Sequence, residues 1–593
     1  MIKELSDFGK PICEKKYGEW NHVALKEEFV SIEIVIDKNG NFCKFESFEK
    51  KSTIAEALTS KKGKARLLLD KAEEVLCYGG EKSKKKHDLF LTKLVVYQDL
   101  PELTSVMAFY NQNKANGVEK ALIAFETAIP NEKNRRENIG FRIQNEGFRI
   151  HEKSEVRRKV RAEYETIKKN TPKKKCSICG KSDYPVEDEP HGMIKKVPEG
   201  KQSGCALVSY NENAFESYDL KGNDNSSICA NCARTYVEGL NELLSEGVPI
   251  KTKKNKDDIL YKYRWPRKRS ASFGVDTAMV FWTRKNEQLP EIDQLEAPNS
   301  DDVARLIESV TSGTERDSRY LEPDQFYSCT LSGSAARIAV RDWIETSLFD
   351  FRKSIAQWFK DIAIDEYDGD LKKIKTHYAR LYDLARSCQR KNSDSGYDKD
   401  DTSLARVATY LWNSALKNTS VPLWILTKVL QRSRLDKYGV TAERAALIKL
   451  VLNRNNKGGE FMISEKVEQG DRPVAYVCGQ IFAKLEGIQY AALGERNAGI
   501  RERYFTYAMT LPASAFGRLF NLNSKHFTKL KNDKPGLAIN LDKELQELCK
   551  DIDIASFPAT FSLEEQGQFA IGYYHQKQAQ FSGAKSKENK KEA

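Results

Sequence analysis

The chain has 593 residues, enough for two to four domains that each bury a core of their own. Charged residues make up 31% and hydrophobic ones 40%, which excludes a fibrous or wholly disordered chain and suits a globular one. No apolar run approaches the roughly 20 residues that span a bilayer. The first residues, MIKELSDFGK, lack the apolar stretch of a signal peptide. Twelve cysteines, most of them scattered, do not form a secreted disulfide framework, so the expected location is a reducing cytoplasm without membrane contact.

Lys and Arg exceed Asp and Glu by 97 to 85, a net charge of +12. The excess is clustered. Residues 153–175 hold ten basic groups against three acids, and 251–269 hold nine against two, with Tyr261, Tyr263 and Trp265 between them. Clustered cations neutralise phosphates and release counterions, so nucleic acid is the expected partner class. Solvated helix faces have the same composition and are the alternative.

In chain order, residues 29–37 (FVSIEIVID) and 42–48 predict two strands joined by a tight turn at Lys38-Asn39-Gly40-Asn41. A helix is predicted over 54–75, then a lysine-rich loop at 82–86, then a helix over 103–128 broken by a polar patch at 111–116. The basic stretch 152–169 predicts a helix ending at Thr171-Pro172. Residues 276–284 and 326–331 predict buried strands, and 335–359 a strand or turn leading into an amphipathic helix with Trp343, Phe349 and Trp358. Beyond about 365 strand signals fade and helices are predicted at 403–416, 442–452, 474–493, 500–507 and 514–530. Ser562 and Glu565 form a capping-box pattern that opens a last helix. The lysine-rich tail from 582 has nothing to bury and is expected to be disordered.

Two cysteine pairs, Cys176/Cys179 and Cys229/Cys232, are the sharpest chemical signal. A Cys-x-x-Cys puts two thiolates on one knuckle, and two knuckles supply a closed tetrahedral site that suits structural zinc. Lys173, Lys174, Lys175 and Lys181 lie beside them and favour the thiolate form. Four ordinary reduced thiols are the alternative, or a redox pair, which lacks a thioredoxin-like βαβ context here. Cys205 reads as a packed small residue. His191, between the pairs, suggests a zinc-stabilised HNH-like metal-dependent nuclease, but the second pair lacks the histidine expected just after it, and an exposed loop histidine is the simpler reading.

The string at 202–218 (QSGCALVSYNENAFESY) resembles a signature of the large subunit of the type I-C CRISPR Cascade. Residues 326–342 (FYSCTLSGSAARIAVRD), 498–504 (AGIRERY), 510–519 and 569–576 (FAIGYYHQ) are similar to further landmarks of that family, in the expected order. The resemblance implies a non-catalytic subunit that recognises the protospacer-adjacent motif on target double-stranded DNA. It also implies that the subunit promotes strand opening and R-loop formation with crRNA, stabilises the displaced single strand, and recruits a separate helicase-nuclease. The implied partners are crRNA, both forms of DNA, the backbone and crRNA-handle-binding subunits and the small subunit. A zinc-ribbon nucleic-acid-binding protein outside CRISPR is a further alternative.

For that role the candidate phosphate contacts are Lys84, Lys85, Lys201, Lys262, Arg264, Arg267 and Lys268, with Arg501, Arg503 and Arg518 on the helical part. Gln112, Asn113, Gln202 and Asn211 are candidates for base edges, because an amide both donates and accepts. Residues 206–210 within the signature read as a buried strand. The resemblance further implies that residues 462–593 can be made separately, as the small subunit; Lys457-Gly458-Gly459 before Met462 would suit a ribosome-binding sequence. The expected fold is an α+β N-terminal part with an embedded zinc-ribbon-like insertion, followed by an all-α C-terminal helical bundle. Its expected divisions are 1–172, 173–240 (zinc-knuckle region), 241–362 (completion of the α+β part) and 363–593.

Overall fold

A computed structural model describes residues 1–57, 65–187, 190–245, 250–252, 262–264, 270–272, 278–285, 294–295, 298–312, 324–334, 336–392, 396–397, 403–456, 458–459, 461–495, 498–553 and 557–588. For 250–252, 262–264, 270–272, 309–312, 391–392, 396–397 and 582–588 the backbone alone is described. The chain divides into two units, Met1–Ser270 with Leu331–Val340, and Ala271–Thr330 with Arg341–Ala593.

The first unit opens with helix α1 (Ile2–Tyr17), whose Leu5, Phe8, Cys13 and Tyr17 recur at helical spacing and are buried. Strands β1 (Leu25–Ile36) and β2 (Phe42–Glu56) form the expected antiparallel hairpin. The Asp37 carboxylate accepts the Asn39 and Asn41 backbone N–H groups at 2.9 and 2.8 Å, which fixes the turn. β1 also pairs in parallel with β4 (Ile139–Ile143), and the short β3 (Leu69–Asp70) completes the order β2-β1-β4-β3. As a central strand, β1 buries Val30 to Ile36 on both faces. Its buried Glu33 is held by Arg142 at 2.7 Å and Arg149 at 2.8 Å.

Two local expectations fail here. Residues 54–56 finish β2, and among the described residues of 54–75 helix appears only from Ala72, in the short helix Ala72–Leu76. Pairing of Ile54, Ala55 and Glu56 with Glu27, Lys26 and Leu25 overrides their helix propensity. The lysine-rich stretch 82–86 is not a loop. It lies in helix α2 (Glu81–Val96), which buries Ser83, Phe90 and Leu94 and turns Lys82, Lys84, Lys85 and Lys86 to solvent.

Residues 104–128 are helical as expected, interrupted at the polar patch by a π-type turn over Ala108–Gln112 before helix α3 (Val118–Ala128). Helix α4 (Ser154–Lys168) follows, then the cysteine region and helix α5 (Ala230–Leu243).

Strands β5 (Ala278–Thr283), β6 (Gln325–Ser334) and β7 (Arg337–Ser347) form a sheet of order β7-β6-β5 with the short strand Ser270–Ser272 at the edge; Ser270 and the parts of β6 and β7 within 331–340 count with the first unit and the rest with the second. Helix α6 (Ser300–Ser312) precedes β6. Ser347 caps helix α7 (Leu348–Ile362) by accepting the Asp350 N–H at 3.1 Å.

Helices α8 (Ser403–Lys417), α9 (Leu423–Leu435), α10 (Ala442–Asn455), α11 (Val474–Leu493), α12 (Ile500–Thr510), α13 (Pro512–Asp533), α14 (Pro535–Lys550) and α15 (Leu563–Glu588) follow. The C-terminal part is therefore helical, although hairpins at Ile364–Asp368/Lys373–His377 and Lys391–Asn392/Gly396–Tyr397 continue strand structure past 365. α9 and α14 were not expected. The Ser562–Glu565 capping box forms as predicted, at 2.7 and 3.3 Å. The tail expected to be disordered from 582 continues α15 as far as Glu588.

Buried polar groups tie these helices. Lys449 of α10 donates to the Lys360 and Ala363 carbonyls at the end of α7, at 3.0 and 2.8 Å, satisfying acceptors that a helix terminus leaves open. Arg454 pairs with Asp361 at 2.7 Å. No helix among the described residues is long and apolar enough to cross a membrane.

Candidate metal centre and nucleic-acid surfaces

The four expected cysteines converge. The first knuckle hangs from a two-stranded ribbon, Lys173–Lys174 against Tyr184–Pro185, and closes as Cys176 N–H donates to the Lys181 carbonyl at 2.9 Å. The second sits at the start of α5, where Cys229 is the N-cap and its sulfur accepts the Cys232 N–H at 3.5 Å. Ser177 N–H donates to the Ser227 carbonyl at 2.7 Å, and Cys229 N–H to the Cys176 sulfur at 3.4 Å, so backbone bonds lock one knuckle to the other.

All four ligand sulfurs lie within 4.8 Å of one another, with Cys179 and Cys229 at 3.9 Å. A zinc ion with Zn–S bonds of about 2.3 Å sets tetrahedral S···S edges of about 3.8 Å, so this arrangement fits such an ion. Cys176, Cys229 and Cys232 are buried under Tyr184, Ile178 and Ile228, while Cys179 is exposed. Hydrogen bonding from Cys232 pulls the Cys229 thiol down to about 5, and the same bond together with burial pushes Cys232 up. The cluster thus favours a thiolate already, as a metal site requires.

Helix α5 carries the second knuckle into the body of the unit by crossing α1 at backbone contact distance. A Cβ on Gly9 would stand 1.9 Å from the Thr235 carbonyl oxygen, and one on Gly239 would stand 2.8 Å from that of Leu5. No side chain larger than hydrogen fits at either glycine. Ser6 and Thr235 hydroxyls bond across it at 2.7 Å, and Arg234 donates to the His22 carbonyl at 2.8 Å while lying 4.7 Å over the Tyr17 ring.

His191 is not an exposed loop residue. Its Nδ1 meets the Tyr236 hydroxyl at 2.9 Å and its Nε2 the Ser226 hydroxyl at 3.1 Å, and burial lowers its pKa to about 4. Both ring nitrogens are engaged inside the fold.

The two segments that carry the family resemblance are brought together. Ala206 N–H donates to the Ala336 carbonyl at 2.8 Å and Ile338 N–H to the Ala206 carbonyl at 3.0 Å. Gly333 packs so tightly on Pro198 and Gly200 that a Cβ there would lie 2.5 Å from the Gly200 nitrogen. Arg337 donates to Asn211 at 2.9 Å and to Glu212 at 3.2 Å, over the Phe215 ring. Residues 206–210 are not the expected buried strand. Within them only Ala206 makes an isolated bridge, to Arg337, and Ala206 to Tyr210 are half-buried. Cys205 is buried, as expected of a packed small residue.

The predicted nucleic-acid residues are distributed over both units. Lys84 and Lys85 are exposed on α2 without an ion-pair partner among the described residues. Gln112 is exposed, whereas the Asn113 amide donates to the Asn39 carbonyl and holds the β1–β2 turn. Lys201 and Gln202 are exposed in a loop, and Asn211 is tied to Arg337. Only the backbone of Lys262 and Arg264 is described, in a strand paired with Ile250–Thr252; Arg267 and Lys268 lie outside the described residues. Arg501 is engaged by the Lys437 carbonyl and Glu502. Arg503 and Arg518 are exposed, and Lys525 and Lys529 extend Arg518 along one stripe of α13. Sequence reasoning missed Arg337 as the link between the two segments. Its one signal was its place within 326–342.

A family model described as CRISPR-associated protein (Cas_Csd1) matches residues 12–581. No curated protein matches the chain.

Proposed function

The chain belongs to the Cas_Csd1 family of CRISPR-associated proteins, and we propose that it is the non-catalytic large subunit of a type I-C Cascade, working in the cytoplasm. The match over nearly the whole chain carries this reading, and it agrees with the resemblance of 202–218 and 326–342 to that subunit. In this role the chain joins crRNA and the other subunits, recognises the protospacer-adjacent motif on duplex DNA, helps open the strands and docks a separate helicase-nuclease. Exposed cations with no ion-pair partner among the described residues, Lys84, Lys85, Arg503 and Arg518, support contact with phosphates. Cys176, Cys179, Cys229 and Cys232 would hold zinc as a structural ion, fixing the knuckles against α5 and leaving no ligand position for water. The engagement of His191 by Tyr236 and Ser226 supports a structural role for it over a nuclease base.

Residues 462–593 hold α11 to α15, and translation from Met462 would release this part as a small subunit. The test of the whole reading is co-expression with the neighbouring CRISPR-associated proteins. A crRNA-sized species should co-elute with the chain, and DNA should bind only with one short flanking motif. Magnesium- or manganese-dependent cleavage by the purified chain, abolished in His191→Ala, would overturn it in favour of the nuclease.

A further inference from the structure

Midway along the loop from Asn211 to Asp224 stands a turn whose chemistry neither the metal centre nor the phosphate contacts use. The Leu220 N–H donates to the Ser217 carbonyl at 3.0 Å. The two residues between them, Tyr218 and Asp219, have φ of 55° and 61°. Left-handed φ at both central positions is the I′ class of turn, which is built from Asn, Asp and Gly. Asp219 suits its position. Tyr218 does not, because a Cβ in the left-handed region meets the following carbonyl.

The same tyrosine is 96% exposed, and its neighbour Leu220 is 39% exposed. A bulky ring therefore stands where the backbone tolerates it least and the solvent surrounds it most. Residues held in costly conformations persist where the fold over-determines them, and they concentrate at contact sites.

The limb behind the turn is rigid. Asn225 donates its amide to the Gly222 and Leu220 carbonyls at 3.2 and 3.5 Å, and Asp224 N–H donates to the Lys221 carbonyl at 2.9 Å. Asn223 donates to the Glu187 carbonyl at 2.8 Å, tying the loop to the knuckle region. A backbone turn already held by these bonds loses little main-chain freedom on binding, which suits an interface anchor.

Charge selects the partner. Between 211 and 224 Glu212 is paired with Arg337, which leaves Glu216, Asp219 and Asp224 against Lys221, in a chain whose net charge is +12. That rim repels phosphates and attracts Lys and Arg.

We propose that the 217–220 turn is a protein-docking tip, with Tyr218 inserting into an apolar pocket of a partner subunit rimmed by basic side chains. This rests on the reading of the chain as a member of a multi-subunit guide-loaded complex.

The test uses the full chain and a guide-loaded assembly reconstituted from the other CRISPR-associated subunits without it. Wild-type chain should join. Tyr218→Asn should weaken joining about thirtyfold, the ordinary effect of removing an anchoring aromatic. Because Asn suits the turn, its unfolding midpoint should be equal to or above that of wild type. Tyr218→Phe should join within about threefold of wild type, since the ring is kept. Glu216→Lys with Asp219→Lys should weaken joining and leave binding of a 30-base duplex unchanged.

Joining of Tyr218→Asn at wild-type affinity overturns the proposal while leaving the complex intact. Tighter joining or tighter duplex binding by the lysine variant assigns the tip to nucleic acid and also overturns it. Failure of the wild-type chain to join overturns both this proposal and the functional reading on which it rests.

Discussion

His151 and His575 show how much a single side chain here depends on what surrounds it. His151 Nε2 meets Thr53 at 3.0 Å, His575 Nδ1 meets the Tyr476 hydroxyl at 2.8 Å, and burial holds both pKa values at about 3. An unfolded histidine titrates near 6.5, so between about 6.5 and 3 the unfolded chain binds protons that the folded chain refuses. The stabilisation is complete above that window and is lost as pH falls through it, by up to about 1.4 kcal/mol per pH unit for each ring. The urea midpoint is therefore expected to drop between pH 7 and pH 5, and less steeply in His575→Gln. Equal slopes in the two proteins would show that His575 titrates normally. Neither histidine announces this in the sequence, where only spacing to distant partners would reveal it.

At the scale of elements, strand and helix signals were legible wherever local chemistry agreed with the fold. The 38–41 turn, the buried run of β1, the Ser562 cap and the periodicity of α8, α10 and α11 all belong to this class. The failures have specific causes. Residues 54–56 have helical composition but answer to the edge of β1, and α2 hides three buried residues among lysines that a polar reading takes for a loop.

The α13 stripe is an element-scale property with a measurable consequence. Arg518, Lys525 and Lys529 share one exposed face, so a triple glutamine variant of the full chain is expected to bind single-stranded DNA more weakly at low salt. The salt slope should shrink by about two, since each phosphate contact to a single strand contributes about 0.7. An unchanged slope would mean that the stripe only solubilises the helix.

At the scale of the whole molecule, the sulfur cluster lies in the first unit, and no other such group occurs among the described residues. On the proposed zinc assignment, a strong chelator is expected to lower the melting transition of that unit and leave the other in place. A loss of ~3 kcal/mol displaces a transition of a domain this size by on the order of 10 °C. Calorimetry of chelated and zinc-restored protein checks it, and a transition that stays put while metal is demonstrably lost would remove the ion from the stability of the fold.

The sequence alone determined what depends on near neighbours: the knuckle spacing that predicts a four-sulfur site, the basic clusters, the hairpin and the change to helical periodicity after β7. It also carried the family resemblance that the matched family model supports at the level of a CRISPR-associated protein. Tertiary structure decided which groups remain free to act. Asn113 and Arg501 are engaged by carbonyls, Asn211 by Arg337, and His191 by Tyr236 and Ser226, all through partners that the chain order does not disclose. The reason is physical: a short-range pattern fixes the conformation of a segment, whereas the availability of a polar side chain depends on which distant carbonyl or hydroxyl the packed core brings within about 3 Å of it.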